Sequence, residues 1–300
     1  MKIWAQILKT VETHGRCALV SVLSTQGSAP RDAGAHMVVT PEGYHGSIGG
    51  GTLEWHAIAA AQAMLAKGPS AKMTTHALGP DLGQCCGGRV SLATEVFDRS
   101  SIETARVLAL REAQGPFTIT RHNIALSFGE ERRRIYLFGA GHVGRALVLA
   151  LAPLPFDVNW IDPRPDAFPR AVPPNVTLAA SADLTETPEG SFVFIMSHSH
   201  ALDLAITGAA LRNAGIAHVG LIGSATKRAR FEKRLREAGI AAERVDTLIC
   251  PIGVPGIQSK EPAAIAAATA AQIIMLDEAL RLATADEKPH HGAQRVGERW

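Results

Sequence analysis

The residues of this 300-residue chain that are best suited to binding chemistry form a glycine motif at Gly139, Gly141 and Gly144. The motif follows the apolar segment 135–138 and opens a segment with helical periodicity at His142. In a strand–turn–helix context the first glycine permits a tight turn, the second lets phosphates approach the backbone, and the third packs helix on strand. The helix N-terminus offers unpaired N–H groups to an anion. The pattern therefore predicts a nucleotide or phosphate site, and the alternative is that the glycines only pack the helix against a sheet.

Two charged residues at the end of the next predicted strand bear on the ligand of this site. Asp162 is placed to accept a hydrogen bond from a ribose hydroxyl, as in NAD sites. Arg164, two residues further on, would instead favour a phosphate group. The sequence leaves both alternatives open, so NAD(P) is one candidate cofactor.

Turns follow three later strands of the same half, at residues 197–200, 223–224 and 251–253, where the carboxyl ends of parallel strands form a crevice. His198 and His200 are candidates for metal ligands, anion partners or proton carriers, but a polar turn at the end of a buried strand explains them equally well. Ser224 is a candidate helix N-cap and ligand contact. Lys227 and its basic neighbours on the following helix either help to hold an anion or lie on an exposed helix face.

In the first half, the adjacent thiols of Cys85 and Cys86 lie in a loop rich in glycine, next to Gln84. Thiolate sulfur is a soft metal ligand and a nucleophile, so either cysteine is a candidate for a molybdenum or sulfur contact, and the alternative is that both are small buried hydrophobic residues. No second pair of Cys or His residues has the spacing of a closed zinc site. Two other segments are candidates for binding an anionic cofactor, namely the helix start at Gly49, Gly50 and Gly51 and the loop that carries Arg31.

In the second half of the chain, a regular alternation of strand, turn and helix positions the candidate residues. The sequence predicts six strands (135–138, 158–161, 176–179, 192–196, 218–222 and 247–250) and four helices (142–152, 201–213, 225–238 and 262–282). This alternation is typical of an α/β fold, a Rossmann-type doubly wound parallel sheet. We predict that this domain covers residues 134–282 and that residues 283–300 form a flexible tail.

The first half mixes the two kinds of element without that regularity. Helices are predicted over 3–13 and 53–66, with a third that starts in a capping box of Ser100 and Glu103 and ends near Gly115. Strands are predicted over 17–24, 35–40, 73–78 and 89–97, with one or two more between residues 117 and 128. We therefore predict a mixed α+β domain over residues 1–130.

Composition limits the function classes. The chain is 46% hydrophobic and 19% charged, as in ordinary globular domains. A formal net charge of +2 is too small to predict a nucleic-acid partner. No secretory signal is recognisable near the N-terminus, and no window of about 18 consecutive apolar residues predicts a membrane span. We expect a cytoplasmic protein with reduced thiols.

Together the motifs resemble those of the XdhC/CoxI family of accessory proteins. The resemblance rests on eight segments in order along the chain, which are Gly27–Arg31, Gly46–Glu54, Leu82–Gly88, Phe138–Gly144, Ile161–Arg164, Met196–His200, Gly220–Ser224 and Cys250–Gly253. Such an ordered set is far more specific than any one glycine motif.

This resemblance implies a chaperone rather than an enzyme. It would bind molybdenum cofactor (molybdopterin), protect it, support the exchange of an oxo for a sulfido ligand by a cysteine desulfurase, and insert it into the molybdenum-binding subunit of xanthine dehydrogenase. Cys85 or Cys86 would then contact the metal or the sulfur, and the Rossmann crevice would hold the cofactor or a nucleotide. A homodimer is compatible with this role. The alternative function is an NAD(P)-dependent oxidoreductase, whose weakness is that no acid–base residue stands out beside a substrate pocket.

Overall fold

The structure, a computed structural model, describes residues 2–79, 87–121 and 124–286. The chain divides into two compact units, Met1–Glu131 and Arg132–Trp300.

The first unit is built on a five-stranded antiparallel sheet with the order β3-β2-β1-β5-β4. Its strands are β1 (Arg16–Gln26), β2 (His36–Val39), β3 (Tyr44–Gly46), β4 (Ala71–Ala77) and β5 (Arg89–Asp98), and a separate hairpin consists of β6 (Phe117–Arg121) and β7 (Ile124–Phe128). The helices are α1 (Ile3–His14), α2 (Gly51–Leu65) and α3 (Ile102–Gln114).

Strand β1 is the centre of this unit because both of its faces are buried. Ala18, Val20 and Val22 join a cluster that includes α2 residues, whereas Cys17 and Leu19 join a cluster that includes Trp4 and Ile7 of α1. Two buried faces explain why the strand reads as a nearly continuous run of apolar residues instead of an alternating pattern.

The predicted capping box at Ser100 and Glu103 is wrong. Asp98 is the N-cap of a short 3₁₀ turn (Arg99–Ser101) that precedes α3, and its side chain and that of Ser101 form the reciprocal pair of hydrogen bonds. The side chain of Asp98 accepts from the N–H of Ser100 at 2.9 Å, so the cap lies two residues before the predicted Ser.

The second unit contains a five-stranded parallel sheet with the order β10-β9-β8-β11-β12. Its strands are β8 (Arg133–Phe138), β9 (Phe156–Ile161), β10 (Val176–Ala179), β11 (Ser191–Ile195) and β12 (Ile216–Leu221). The helices are α4 (His142–Leu151), α5 (His200–Arg212), α6 (Ala225–Glu237), α7 (Ala242–Asp246) and α8 (Pro262–Asp286). Separate hydrophobic clusters, one including residues of α4 and α8 and the other residues of α5, α6 and α7, cover the two faces of the sheet. The predicted α/β class and doubly wound sheet are thus confirmed.

Two predictions at the end of this unit need correction. The predicted strand 247–250 is a single bridge between Gly220 and Ile249, because the chain leaves the sheet edge after one pairing. Helix α8 continues to Asp286, beyond the predicted end at residue 282. The rest of the predicted tail lies outside the described residues.

Helix α8 is long and apolar enough to cross a membrane by length and composition alone, which is a weak indication. Ala266 and Ile273 of this helix are buried in the cluster that also contains α4. Its buried Asp277 pairs with Arg133 of β8, with a distance of 2.9 Å between Nε and Oδ1. These contacts place one side of α8 against the core of the second unit.

Candidate functional site

The loop that carries Arg31 lies against Gly88, the residue before β5, and against the glycine loop before α2. Strand β1 leads into the loop at Gly27, and β5 begins beside it, directly after Gly88. A Cβ atom on Gly88 would lie 2.6 Å from the carbonyl oxygen of Gln26 and would overlap the carbonyl oxygen of Ser28. A Cβ atom on Gly49 would lie 2.6 Å from Cβ of Pro30. Glycine at these two positions therefore allows the backbone of one loop to approach the next.

The glycine loop before α2 is organised by a carboxylate of the same chain. Glu54 Oε2 accepts hydrogen bonds from Ser47 Oγ at 2.6 Å and from the N–H groups of Ile48 at 2.9 Å and Gly50 at 3.1 Å. Burial raises the pKa of the Glu54 carboxyl, but the hydrogen bonds outweigh burial, so its pKa lies below the usual value. The N–H of Gly50 is thus already used within the protein, and the N–H groups of the first turn of α2 are the ones left for an anion.

Arg31 is exposed and lies in an open depression of about 400 Å³ formed by residues 29–35. The predicted contacts Gln84, Cys85 and Cys86 lie outside the described residues. Gly88, the residue before β5, accepts a hydrogen bond at its carbonyl oxygen from the N–H of Leu78 at 2.7 Å. The other two cysteines, Cys17 and Cys250, are buried, and burial raises the pKa of the Cys17 thiol to about 12.

In the second unit the glycine motif lies where the strand order reverses, between β8 and β11. A Cβ on Gly139 would lie 2.7 Å from the carbonyl carbon of Met196, and one on Gly144 would overlap the carbonyl oxygen of Gly139. Gly141 is exposed, with no atom within 4 Å of the position its Cβ would take. The first and third glycines are therefore needed for packing, and the second faces open space at the point where such sheets bind ligands.

Asp162 lies at the end of β9 with only 1% of its surface exposed. Its carboxylate accepts hydrogen bonds from the N–H of Ala140 at 2.8 Å and from the backbone and side chain of Arg164. The side-chain hydrogen bonds from Arg164 outweigh burial and hold the pKa of Asp162 well below its usual range. Arg164 keeps 48% of its side chain exposed, so Arg164 is the member of the pair that can meet a ligand.

A buried network follows β11 and β12. Asp203 accepts from Ser197 Oγ at 2.6 Å and from Lys227 Nζ at 2.6 Å, and Lys227 also donates to the carbonyl oxygen of Ile222. Ser224 caps α6 by accepting from the N–H of Lys227 at 3.3 Å. Lys227 is thus committed to an ion pair and does not lie on an exposed helix face.

The three histidines of the predicted crevice, His142, His198 and His200, are exposed. Among residues 2–79, 87–121 and 124–286, no group of three His, Cys, Asp or Glu side chains has the arrangement of a metal site. The histidines therefore gain no support as metal ligands from the described part of the chain.

The sequence interpretation gave no role to Glu54, Asp203 or Arg145. A signal existed for Asp203, which lies one helical turn before Thr207 on the buried face of α5, where a charged side chain requires a partner. Arg145 of α4 donates to the carbonyl oxygens of Ala140 and Ala167. Nothing in the spacing of the sequence indicates that contact.

Comparison with known proteins places both units in one family. Residues 10–76 match the model described as the XdhC and CoxI family, and residues 135–273 match the model described as the XdhC Rossmann domain. The uncharacterised protein YqeB of Escherichia coli (strain K12) is 28% identical over 294 residues, which is 92% of this chain and 46% of YqeB. This chain therefore spans about half the length of that relative.

One solved structure matches nearly the whole chain. It is described as a xanthine dehydrogenase from Bacillus halodurans, is 20% identical, and superposes with a TM-score of 0.74 over 93% of this chain and 96% of its own. At this identity the likeness shows the fold alone.

Proposed function

Because this chain belongs to the XdhC and CoxI family, we propose that it is a cytoplasmic maturation protein and not an enzyme. In this proposal it binds molybdenum cofactor, protects it, holds it while a cysteine desulfurase supplies sulfur, and inserts it into the molybdenum-binding subunit of xanthine dehydrogenase.

The observation that carries the proposal is the convergence of loops in the first unit. Gly88, at the end of the segment with the two thiols, lies against the loop that leads to Arg31, and Gly49 lies against Pro30 of that same loop. The loop that carries Arg31 thus offers an exposed positive charge to an anionic cofactor. In the proposal the thiol of Cys85 or Cys86, which precede Gly88 in the sequence, supplies a soft ligand for the metal of that cofactor.

The donor set of the second unit also suits a phosphorylated ligand. Gly141 leaves open space at the N-terminus of α4, where a side chain would obstruct a ligand, and Arg164 presents its guanidinium nearby. In the proposal Cys85 or Cys86 contacts the metal or the transferred sulfur, and the crevice of the second unit binds a phosphorylated cofactor or a nucleotide. The cofactor supplies the metal chemistry when bound, and the protein binds, orients and shields it.

The test is to purify the protein from cells that make the cofactor and to measure bound molybdenum and pterin fluorescence. We expect both in the native protein and a loss of at least about tenfold in Cys85→Ala, Cys86→Ala or the double variant, as expected for the removal of a ligand contact. The matched control is Cys17→Ala, which removes a buried thiol from the core of the first unit. If molybdenum and pterin are absent while the cells contain ample cofactor, the proposal is wrong.

The alternative of an NAD(P)-dependent oxidoreductase is supported by the glycine motif and the open space at Gly141. It predicts firm nicotinamide binding with which no pterin competes. Titration of NADH and NADPH, followed by competition with the pterin, separates the two functions.

A further inference from the structure

We propose that the turn after β9 is a receptor for a phosphate monoester, with Arg164 as the contact residue, Asp162 as the residue that positions it, and Arg145 as a second cation. The inference deepens the proposed function, on which it rests in taking the crevice of the second unit to be a ligand site. Of the two alternatives that the sequence leaves open at this turn, a ribose hydroxyl bound by Asp162 and a phosphate bound by Arg164, the inference selects the phosphate.

The Asp162 carboxylate has no hydrogen-bond acceptor position left for a ribose diol. Oδ1 accepts from the backbone N–H of Arg164 at 3.0 Å and from its Nε at 2.9 Å, and Oδ2 accepts from Ala140 N–H at 2.8 Å and from Arg164 Nη2 at 2.8 Å. An ionised carboxylate offers about four acceptor positions. All four are occupied and the residue is 1% exposed, so a ligand hydroxyl would have to displace a bond within the protein.

These same bonds prepare Arg164 for an anion. A guanidinium has five N–H donors, and two of them serve Asp162, which leaves three on Nη1 and Nη2. The side chain is 48% exposed and is fixed through both its backbone and its guanidinium. A fixed planar donor of this kind suits the oxygens of a phosphate, because little side-chain freedom is lost on binding.

The positive charges around this turn also favour an anion. Asp162 neutralises Arg164, but Arg145 brings a second positive charge to this corner through its bonds to the carbonyl oxygens of Ala140 at 3.2 Å and Ala167 at 2.7 Å. Within the described ranges no carboxylate lies within ion-pair distance of Arg145. Asp166 of the same turn is exposed and is the opposing charge. Both charges are exposed to solvent, but the two hydrogen bonds to the backbone fix Arg145 beside the glycine turn.

A phosphate monoester carries between one and a half and two negative charges at neutral pH and about three acceptor oxygens. Two ligands present such a group, the pterin of molybdenum cofactor and the 2′-phosphate of NADP. NADH offers only a diol at the corresponding ribose. The receptor therefore binds a ligand that carries the phosphate monoester more tightly than the same ligand without it. The experiment distinguishes the pterin phosphate from the 2′-phosphate of NADP.

The experiment is calorimetric titration of the full-length protein, freed of bound ligand. One arm compares NADPH with NADH. The other arm compares the oxidised fluorescent pterin obtained from molybdenum cofactor before and after removal of its phosphate by alkaline phosphatase. We expect the monoester to tighten binding at least about tenfold in one of the arms, as for a hydrogen bond to a charged group. Discrimination in the first arm assigns the nucleotide, and in the second the pterin.

Arg164→Gln should reduce that discrimination to within about threefold, while Arg164→Lys should retain part of it, since a point charge replaces a planar donor set. The matched control is Arg170→Gln, an exposed arginine beyond the turn, which should leave the discrimination intact. Circular dichroism shows whether Arg164→Gln folds. If it does not, Arg164→Lys and the comparison of ligands in the native protein still test whether Arg164 binds the phosphate monoester.

Equal binding of each ligand with and without its phosphate would overturn the proposal, and so would full discrimination in Arg164→Gln. Failure of the proposed function shows separately. A protein that discriminates in the nucleotide arm but contains no molybdenum retains the receptor and loses the maturation role. A protein that carries molybdenum without discrimination retains the role and loses the receptor.

Discussion

Single residues at the carboxyl edge of the parallel sheet are held by charges inside the protein. Asp203 is 2% exposed and stands between the hydroxyl of Ser197 and the ammonium of Lys227, whose side chain is 12% exposed. A buried ion pair contributes little beyond the cost of desolvating its members, but the loss of one partner leaves the other charge uncompensated. The order of the loop after β11 therefore depends on keeping both charges.

We predict that Asp203→Asn lowers the free energy of unfolding by about 3–5 kcal/mol, because Lys227 is left buried without an opposite charge. The amide oxygen of the new Asn can still accept a hydrogen bond from Ser197, so the lost stability measures the effect of removing the negative charge. Urea unfolding measures the change. The control Glu237→Gln, in an exposed pair with Lys233 at 3.9 Å, should cost less than about 1 kcal/mol. The double variant Asp203→Asn/Lys227→Met should be more stable than the single one, and a single variant as stable as the native protein would contradict the prediction.

In the first unit, His36 makes stability depend on pH. Its Nε2 lies 2.8 Å from the carbonyl oxygen of Ser127, so Nε2 carries the proton and Nδ1 accepts from Ser21 Oγ. Burial lowers the pKa of His36, and the hydrogen bond to Ser127 opposes this only in part. The folded protein thus keeps a neutral imidazole at a pH where the unfolded chain takes up a proton.

This difference predicts that the contribution of His36 to stability is complete above the ordinary histidine pKa of about 6.5 and is lost as the pH falls below it. The unfolding free energy of the native protein and of His36→Gln, measured by urea at pH 7.5 and 5.5, should therefore differ less at the lower pH. The comparison with the variant is needed because burial also lowers the pKa of His76 and His218. A difference that grows as the pH falls would show that His36 is protonated in the folded state.

The sequence identifies some of these residues as candidates for a site, but it does not identify their hydrogen-bond partners. Asp162 and Arg164 were recognised as candidates from their position after a strand, whereas the four hydrogen bonds that occupy Asp162 depend on where Ala140 lies in the folded turn. The role of Glu54 was missed for the same reason. Whether a carboxylate serves a ligand or the protein itself depends on contacts that spacing does not fix.

At the scale of elements, the parallel strands and their helices were predictable because each buried strand is a short apolar run bounded by turn residues. The five strands of the second unit were all predicted within two residues of their observed bounds. The predicted sixth strand failed because an apolar run at a sheet edge can pair at one residue and then turn away, as residue 249 does. The pairing depends on the path of the chain towards α8.

The glycine turn between β8 and α4 provides a matched pair of substitutions. We predict that Gly139→Ala destabilises the protein by about 2 kcal/mol or more, because φ is +112° and the new Cβ would meet the backbone of Met196. Gly141→Ala should change stability by less than about 0.5 kcal/mol, since nothing lies within 4 Å of its Cβ position.

Urea unfolding measures both variants, and titration with the ligand that the native protein binds then tests the open space. Gly141→Ala should fold normally and bind more weakly, because its methyl group occupies the place where a ligand would approach the backbone. Unchanged binding in a folded Gly141→Ala would place the ligand elsewhere, and a stable Gly139→Ala would mean that the turn tolerates a different backbone path.

At the scale of the whole molecule, the shift from mixed to regularly alternating elements indicated a boundary near residue 130, and the compact units divide at Glu131 and Arg132. The two hydrophobic clusters of the second unit draw on residues between Ile135 and Leu280 only. Its sheet is covered on both faces by its own helices, and Asp277 of α8 pairs with Arg133 at the start of β8. The first and last elements of the unit are thus joined within it.

We therefore predict that residues 132–300, expressed alone, fold cooperatively and retain the discrimination for a phosphate monoester. A unit with a complete core does not need the rest of the chain to bury its apolar surface. Circular dichroism and urea unfolding test the fold, and the calorimetric comparison of ligands with and without phosphate tests the site. A fragment that ends at residue 261 is the control, and it should be unstable because it lacks α8. A folded longer fragment without discrimination would mean that the receptor requires groups from outside the second unit, and an unfolded one would mean that its core is incomplete.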